Sequence, residues 1–174
     1  MIFGMPSALF PASGDHFGGG ASTIGYLYAA PYVGALAASV LSGWVGHVRR
    51  QGLGVCVAAG LWGFAIILFG LSETLWLALV FLAFAGAADF VSAVLRSTIL
   101  MQATPDSMRG RMSGIELAQV ASAPSLGNLE AGVVASLTSL RFSVVSGGVM
   151  CVVGTLVLAL ALPAFRRYDS RSPG

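Results

Sequence analysis

The chain has 174 residues, of which 56% are hydrophobic and only 9% are charged, and its formal net charge is +2. Soluble domains carry about 25% charged residues, so this composition excludes an ordinary water-soluble fold and indicates that lipid is the solvent. The nine basic residues are all arginines that cluster mostly at the boundaries of apolar runs, which excludes the continuous basic face of a nucleic-acid-binding protein.

Six apolar runs predict an all-α membrane protein with six transmembrane helices over residues 1–165, followed by a polar cytoplasmic tail at 166–174. The predicted helices are 1–14, 22–45, 53–71, 74–101, 112–138 and 143–164. The first run would form roughly 21 Å of helix, against a hydrocarbon core of about 30 Å. We therefore expect that its first turns are missing, because the chain is a fragment or because its start is misassigned.

Small residues recur every four positions along the second run, at Gly34, Ala38, Ser42 and Gly46. Such a ladder lets helix backbones approach closely in lipid, where no hydrophobic force drives helices together. Pro31 is expected to kink the same helix. Helix packing explains these residues, so no binding site is assigned to them.

The third and sixth runs each contain one cysteine, Cys56 and Cys151. The predicted topology places the two residues towards opposite sides of the membrane, beyond the Cα separation of about 7 Å that a disulfide allows. Both are therefore expected to be buried thiols. The two histidines and two cysteines lie far apart in the sequence, so no metal or other cofactor is predicted.

The arginines predict the orientation of the chain. If the runs alternate, Arg141 falls on one side together with Asp15, Glu73 and His16, and seven arginines fall on the other side. The seven are Arg49, Arg50, Arg109, Arg111, Arg166, Arg167 and Arg171. Because cytoplasmic loops carry an excess of basic residues, the arginine-rich side, which includes the C-terminus, is predicted to be cytoplasmic.

Two ionisable residues, Asp89 and Arg96, lie inside the fourth run. They are two helical turns apart and share one helix face, with Asp89 about 21 Å and Arg96 about 32 Å from the outer end of the helix. Asp89 is thus predicted to lie inside the hydrocarbon core, while Arg96 reaches the cytoplasmic interface. Three roles stay open for Asp89: proton or substrate handling, a conformational lock with Arg96, and plain packing.

The fifth run has a polar or small face along its whole length, formed by Glu116, Gln119, Ala123, Gly127 and Glu130. Such a face is typical of a helix that lines a water-filled path. Glu116, Gln119 and Glu130 therefore join Asp89 as candidate residues of a substrate or proton pathway.

The loop before the fifth run carries Asp106, Arg109 and Arg111. An ion-pair latch that holds one access state and a solvated loop that obeys the positive-inside rule explain it equally well. Glu116 is expected to contact Arg109, Arg111 or headgroup water. The candidate gating residues are Arg96, Asp106, Arg109, Arg111, Arg49 and Arg50.

An enzyme is not predicted. A membrane-embedded serine protease needs a histidine at membrane depth to activate its serine. His47 instead lies at a helix end, and His16 lies in a loop.

The stretch from Asp89 to Arg111 resembles the major facilitator superfamily, in particular its enterobactin exporter-like branch. The residues that carry the resemblance are Asp89, Ser92, Arg96, Ser97 and Thr98, the segments 102–111 and 126–132, and the opening FGMPSALFP. The resemblance implies that the six runs are the C-terminal half of a twelve-helix transporter in the bacterial inner membrane. It also implies efflux of a small siderophore-like or drug-like molecule by proton antiport, with an N-terminal half or a second copy as the partner.

One signature of the superfamily is altered in this chain. The signature loop has a glycine, an acidic–basic pair, a second glycine and two basic residues. The segment GWVGHVRRQG keeps Gly43, Arg49 and Arg50, but His47 stands where the acidic residue is expected. The resemblance therefore does not extend the usual charge-relay latch to this loop.

Two alternatives from other classes fit the same composition. One is a self-associating six-helix membrane protein that acts as a channel or scaffold, and the other is a non-functional remnant of a truncated gene. Substrate-dependent flux restored by an N-terminal half would distinguish a transporter from both.

Overall fold

A computed structural model describes residues 7–16, 20–43 and 50–161, and all the secondary structure in these ranges is helical. The α-helices are α1 (Phe10–His16), α2 (Ala21–Val40), α3 (Gln51–Leu71), α4 (Leu75–Ala103), α5 (Arg109–Leu137) and α6 (Leu140–Ala161). Short 3-10 helices occupy Ser7–Leu9 and Asp106–Met108. The bounds of α2 to α6 lie close to the predicted runs, and α1 continues through Asp15 and His16, which the sequence placed in a loop.

Four helices in the described ranges, α2, α3, α4 and α6, are long and apolar enough to cross a membrane. Helix α5 has 29 residues, but it is more polar because it carries four charged side chains and many alanine, glycine and serine residues. Helix α1 has only seven residues. The multi-pass membrane fold is thus supported, while the count of six spanning helices stays a prediction.

The helices pack in the order α2, α4, α3 and α6, with α3 between α4 and α6. Glycines set the close approach of α2 and α4. A Cβ added to Gly34 would overlap the backbone carbonyl of Ala83, and a Cβ added to Gly86 would overlap that of Pro31. The small-residue ladder predicted for the second run is therefore confirmed as a packing surface at Gly34, which is buried.

Glycines also allow the close approach of α3 and α6. A Cβ on Gly63 would lie 3.0 Å from the carbonyl oxygen of Gly148, and a Cβ on Gly148 would lie 2.8 Å from that of Gly63. The two glycines face each other, so the backbones approach closely, with the side chains of Val152 and Ile67 packed beside the crossing. Close backbone approach replaces hydrophobic association as the stabilising contact between helices in lipid.

The core joins α1 to this bundle through aromatic rings. Phe10 is almost fully buried and packs edge-on against Phe69 of α3 and Tyr28 of α2, with ring centroids 6.1 and 5.0 Å apart. Large apolar side chains also cover the outer surface, among them Val40 and Trp76, both 79% exposed. An apolar exterior of this extent fits lipid rather than water.

Cys56 and Cys151 are thiols and are not joined in a disulfide, as predicted. Cys151 is buried and its Sγ lies 3.8 Å from the carbonyl oxygen of Ala59 in α3. Cys56 is only half-buried, which corrects the expectation of full burial. Within the ranges that the structure describes, no group of three or more histidine, cysteine, aspartate or glutamate residues could hold a metal ion.

Candidate functional site

Asp89 lies on the buried face of α4. Ala78, Leu82, Ala85 and Ser92 have no exposed surface, and their spacing of three and four residues defines one helix face. Asp89 continues that face between Ala85 and Ser92 and is itself half-buried. The carboxylate is thus carried by the side of α4 that packs into the bundle.

Arg96 lies two turns further along the same helix and is also half-buried. Its positive charge acts on Asp89 electrostatically, but the two side chains do not come within ion-pair distance. The ion pairs among the described residues join Asp106 to Arg109 and Glu73 to Arg141. A direct Asp89–Arg96 salt bridge, one of the roles left open by the sequence, is not formed in this structure.

Ser92 lies between these two ionisable residues, one helical turn from each. Its side chain is fully buried, and its Oγ has no hydrogen-bond partner among the described residues. An unpaired buried hydroxyl is costly. The sequence could have indicated Ser92 by its position, because this small polar residue lies three residues after Asp89 and four residues before Arg96.

Glu116 is bound to α4 rather than to an arginine. The hydroxyl of Ser97 donates a hydrogen bond of 2.7 Å to Oε1 of Glu116. Glu116 thus contacts α4, and no ion pair joins it to Arg109 or Arg111 in this structure. Ser97 lies six residues before the end of α4 and Glu116 seven residues after the start of α5, so their similar distances from the loop could have indicated the pair.

The loop between α4 and α5 contains a local ion pair. Arg109 Nη2 lies 2.9 Å from Asp106 Oδ1, three residues earlier, and the side chains are 52% and 88% exposed. Asp106 and Arg109 are only three residues apart, so the pair does not connect α4 to α5. This geometry is compatible with the solvated loop, and the latch stays a prediction. Arg111 is also exposed.

The second group of candidate gating residues is described only in part. Arg50 is exposed and precedes the first residue of α3. Arg49 and His47 lie outside the described residues, as do Arg166, Arg167 and Arg171.

Glu130 and Gln119 are both exposed on α5, and only Gly127 of that helix is buried. Glu130 lines a groove between α3, α5 and α6, together with Trp62, Ser143 and Ser146. The groove has a cavity volume of about 30 Å³, more than the roughly 10–15 Å³ that a cavity needs to hold one water molecule. In the described part of the chain the acidic residues are thus divided between separate places: Glu116 against α4, and Glu130 beside α3 and α6.

The opposite end of the bundle carries the second ion pair. Arg141 Nη2 lies 3.8 Å from Glu73 Oε1, and both side chains are largely exposed. The contact brings the turn between α3 and α4 to the same end as the start of α6. The sequence placed Glu73 and Arg141 on one side of the membrane, and this juxtaposition agrees with that placement.

Comparison with known proteins relates the whole chain to a single family. The family model described as Major Facilitator Superfamily matches residues 1–174. The chain is 36% identical over 167 residues to the enterobactin exporter EntS of Shigella flexneri and to that of Escherichia coli (strain SE11). Each alignment covers 95% of this chain and 40% of the relative, so the chain spans about 40% of the length of these curated relatives. No solved structure gives a significant match.

Proposed function

The chain belongs to the Major Facilitator Superfamily, and from this membership we propose that it forms the six-helix C-terminal half of a secondary transporter that exports a small molecule by proton antiport. Support for export comes from the relatives, which are named as enterobactin exporters. Support for a half comes from their length, because the chain matches 40% of it.

The observation that carries the proposal is the setting of Asp89. This carboxylate lies on the buried face of a helix that is long and apolar enough to span the membrane. It also lies beyond ion-pair distance of Arg96, the nearest cation on its face. Carboxylates within spanning helices serve as proton relays in transporters, so Asp89 is assigned the proton-carrying role.

Further residues are assigned to the same pathway. Glu130, Gln119 and Glu116 would line the path on α5. The proposed gating residues are Arg96, Asp106, Arg109, Arg111, Arg49 and Arg50. The substrate would bind near the midplane, between this half and an N-terminal half or a second copy. A siderophore-like or drug-like molecule is the proposed cargo, and the arginine-rich side with the C-terminus is proposed to face the cytoplasm of a bacterial cell.

The test measures proton-driven efflux of enterobactin in proteoliposomes that contain the complete transporter, which is this chain together with its N-terminal half. Asp89→Asn should abolish efflux driven by a pH gradient, because the amide cannot carry a proton, while expression and membrane insertion stay normal. Glu73→Gln is the matched control, since this exposed acid lies at the end of the bundle and should be replaceable without loss. Full proton-driven efflux by Asp89→Asn would overturn the assignment.

A second arm addresses the partner. The chain alone and the chain expressed with an N-terminal half should be compared in the same assay. Flux that appears only with the N-terminal half supports a half-transporter, whereas flux through the chain alone supports self-association.

A further inference from the structure

The groove beside Glu130 is separated from the helix that carries Asp89. It lies between α3, α5 and α6, and α3 packs between α4 and α6. Because Asp89 belongs to α4, helix α3 stands between this carboxylate and the groove. The groove is therefore a second polar place in the bundle, and its chemistry depends on the side chains that line it.

Two serines of α6 present hydrogen-bond acceptors, and no donors, to the groove. The hydroxyl of Ser143 donates its hydrogen to the carbonyl oxygen of Ala131 at 2.8 Å, and the hydroxyl of Ser146 donates to the carbonyl oxygen of Ser143 at 3.0 Å. A serine hydroxyl has one hydrogen to donate and two lone pairs that accept. Since both hydrogens are committed to backbone carbonyls, each serine oxygen has only its lone pairs left to offer a ligand.

Glu130 adds a third acceptor and a negative charge, because a carboxylate can only accept hydrogen bonds. The ion pairs among the described residues do not include it. Of the three helices that form the groove, α3 contains no basic residue, and Arg141 of α6 is paired with Glu73. Arg111 precedes Glu130 by 19 residues on α5, or about 28 Å of helix. In the described part of the chain, the groove thus holds no cation that balances this carboxylate.

The ligand that suits these groups is a small cation that donates hydrogen bonds. A primary ammonium group carries one positive charge and three N–H donors, one for each acceptor. The cavity of about 30 Å³ has room for a group of the size of a water molecule. Trp62 also lines the groove, and tryptophan is the aromatic residue that attracts cations most strongly. A metal ion such as Ca²⁺ takes six to eight oxygen ligands, which is more than these three side chains supply.

We propose that Glu130, Ser143 and Ser146 form a binding site for a primary ammonium group. The carboxylate of Glu130 balances its charge, and each serine oxygen accepts one N–H. Such a group is present in the ethanolamine headgroup of a membrane lipid and in small soluble amines, and the two sources are separated by experiment. Binding at this site does not require transport, so a failure of the proposed efflux would leave it unaffected.

The first experiment uses a soluble amine. The complete transporter, which is this chain together with its N-terminal half, is placed in nanodiscs of phosphatidylcholine, whose headgroup has no N–H donor. Its unfolding temperature should rise as methylammonium chloride is added, because a ligand that binds the folded state stabilises it. Glu130→Gln should require at least about tenfold more methylammonium for the same rise, since a hydrogen bond to a charged group is lost.

Two salts test the chemistry of the ligand. Tetramethylammonium chloride carries the same charge without N–H donors, and sodium chloride supplies a metal ion. Each should raise the unfolding temperature less than methylammonium chloride does at the same concentration. A methylammonium response that either salt matches would overturn the site as one that selects for a primary ammonium group.

The second experiment tests the lipid headgroup. The transporter is taken from nanodiscs that contain equal amounts of phosphatidylethanolamine and phosphatidylcholine, and native mass spectrometry counts the lipids that stay bound. The unaltered protein should retain phosphatidylethanolamine about tenfold more often, and Glu130→Gln should lose this preference. A lipid preference assigns the site to a headgroup, whereas a methylammonium response without it assigns the site to a soluble amine. The absence of both responses would overturn the proposal.

Matched variants control for the loss of a charge or of a hydroxyl. Glu73→Gln removes an acid at the same end of the bundle that pairs with Arg141, and it should leave ammonium binding unchanged. Ser146→Ala should weaken binding, whereas Ser136→Ala should not. Each of these hydroxyls bonds to a carbonyl three residues earlier, but Ser136 does not line the groove. Equal losses in Glu73→Gln and Glu130→Gln, or in the two serine variants, would contradict the proposed site.

Discussion

Gly34 of α2 lies directly against Ala83 of α4, so that no side chain fits between the two backbones. We predict that Gly34→Ala lowers the stability of the protein by about 1–3 kcal/mol or more, because the added methyl group meets a carbonyl that no rotamer change can move aside. Thermal unfolding in detergent, followed by circular dichroism, measures the change.

The matched control for this substitution lies on the same helix. A Cβ on Gly25 would meet nothing within 4 Å, and alanine is favoured over glycine in a helix by about 1 kcal/mol. Gly25→Ala should therefore leave the unfolding temperature unchanged or raise it. Equal losses in the two variants would show that α2 and α4 do not cross at Gly34.

Ser92→Ala, which removes a buried hydroxyl, should raise the stability of the protein. It has no hydrogen-bond partner among the described residues, and removing an unsatisfied buried polar group is expected to stabilise the protein by up to about 1 kcal/mol. Ser143→Ala is the comparison, since this serine is similarly buried but donates to Ala131. The Ser143→Ala variant should lose about 1 kcal/mol of unfolding free energy. A loss in both variants would mean that Ser92 has a partner in the membrane.

The ion pair between Glu73 and Arg141 should contribute little to stability. Its atoms are 3.8 Å apart and its side chains are 79% and 49% exposed, and exposed pairs are worth about 0–1 kcal/mol. Glu73→Gln should shift the free energy of unfolding by less than about 1 kcal/mol, as measured in detergent at low and high salt. A large loss that vanishes at high salt would show that the pair is shielded from water.

The predicted orientation is testable with reporter fusions. Fusions after Gly43 and after Pro105 should give fluorescent green fluorescent protein, which folds in the cytoplasm. Fusions after Glu73 and after Ser139 should give active alkaline phosphatase, which folds outside it. The physical reason is that the arginine-rich loops are expected to stay in the cytoplasm. The same reporter response at Pro105 and Ser139 would show that α5 does not cross the membrane.

Properties that depend on a single helix could be predicted from the sequence. The helical period places Asp89, Ser92 and Arg96 on one face, and composition marks α2, α3, α4 and α6 as membrane-spanning. The four-residue spacing also identified Gly34 as a packing position. Each of these statements needs only the rise and period of an α-helix and the solvent in which it lies.

Properties that depend on neighbouring helices could not be predicted in this way. The partner of Glu116 was expected to be Arg109, Arg111 or headgroup water, but the structure gives it Ser97 of α4. Likewise, the shared face of Asp89 and Arg96 indicated a possible pair, yet their side chains stay beyond ion-pair distance. Helical period fixes direction around one axis, while such contacts depend on the distance and tilt between two axes.

The polarity of α5 also has a consequence for the biogenesis of the protein. Its four charged residues disfavour release of this segment alone from a translocon into lipid. Its neighbour α6 is strongly apolar and follows after a turn of two residues, so the pair can enter the bilayer together as a helical hairpin. Synthesis of α6 would then decide when α5 leaves the aqueous pore of the translocon.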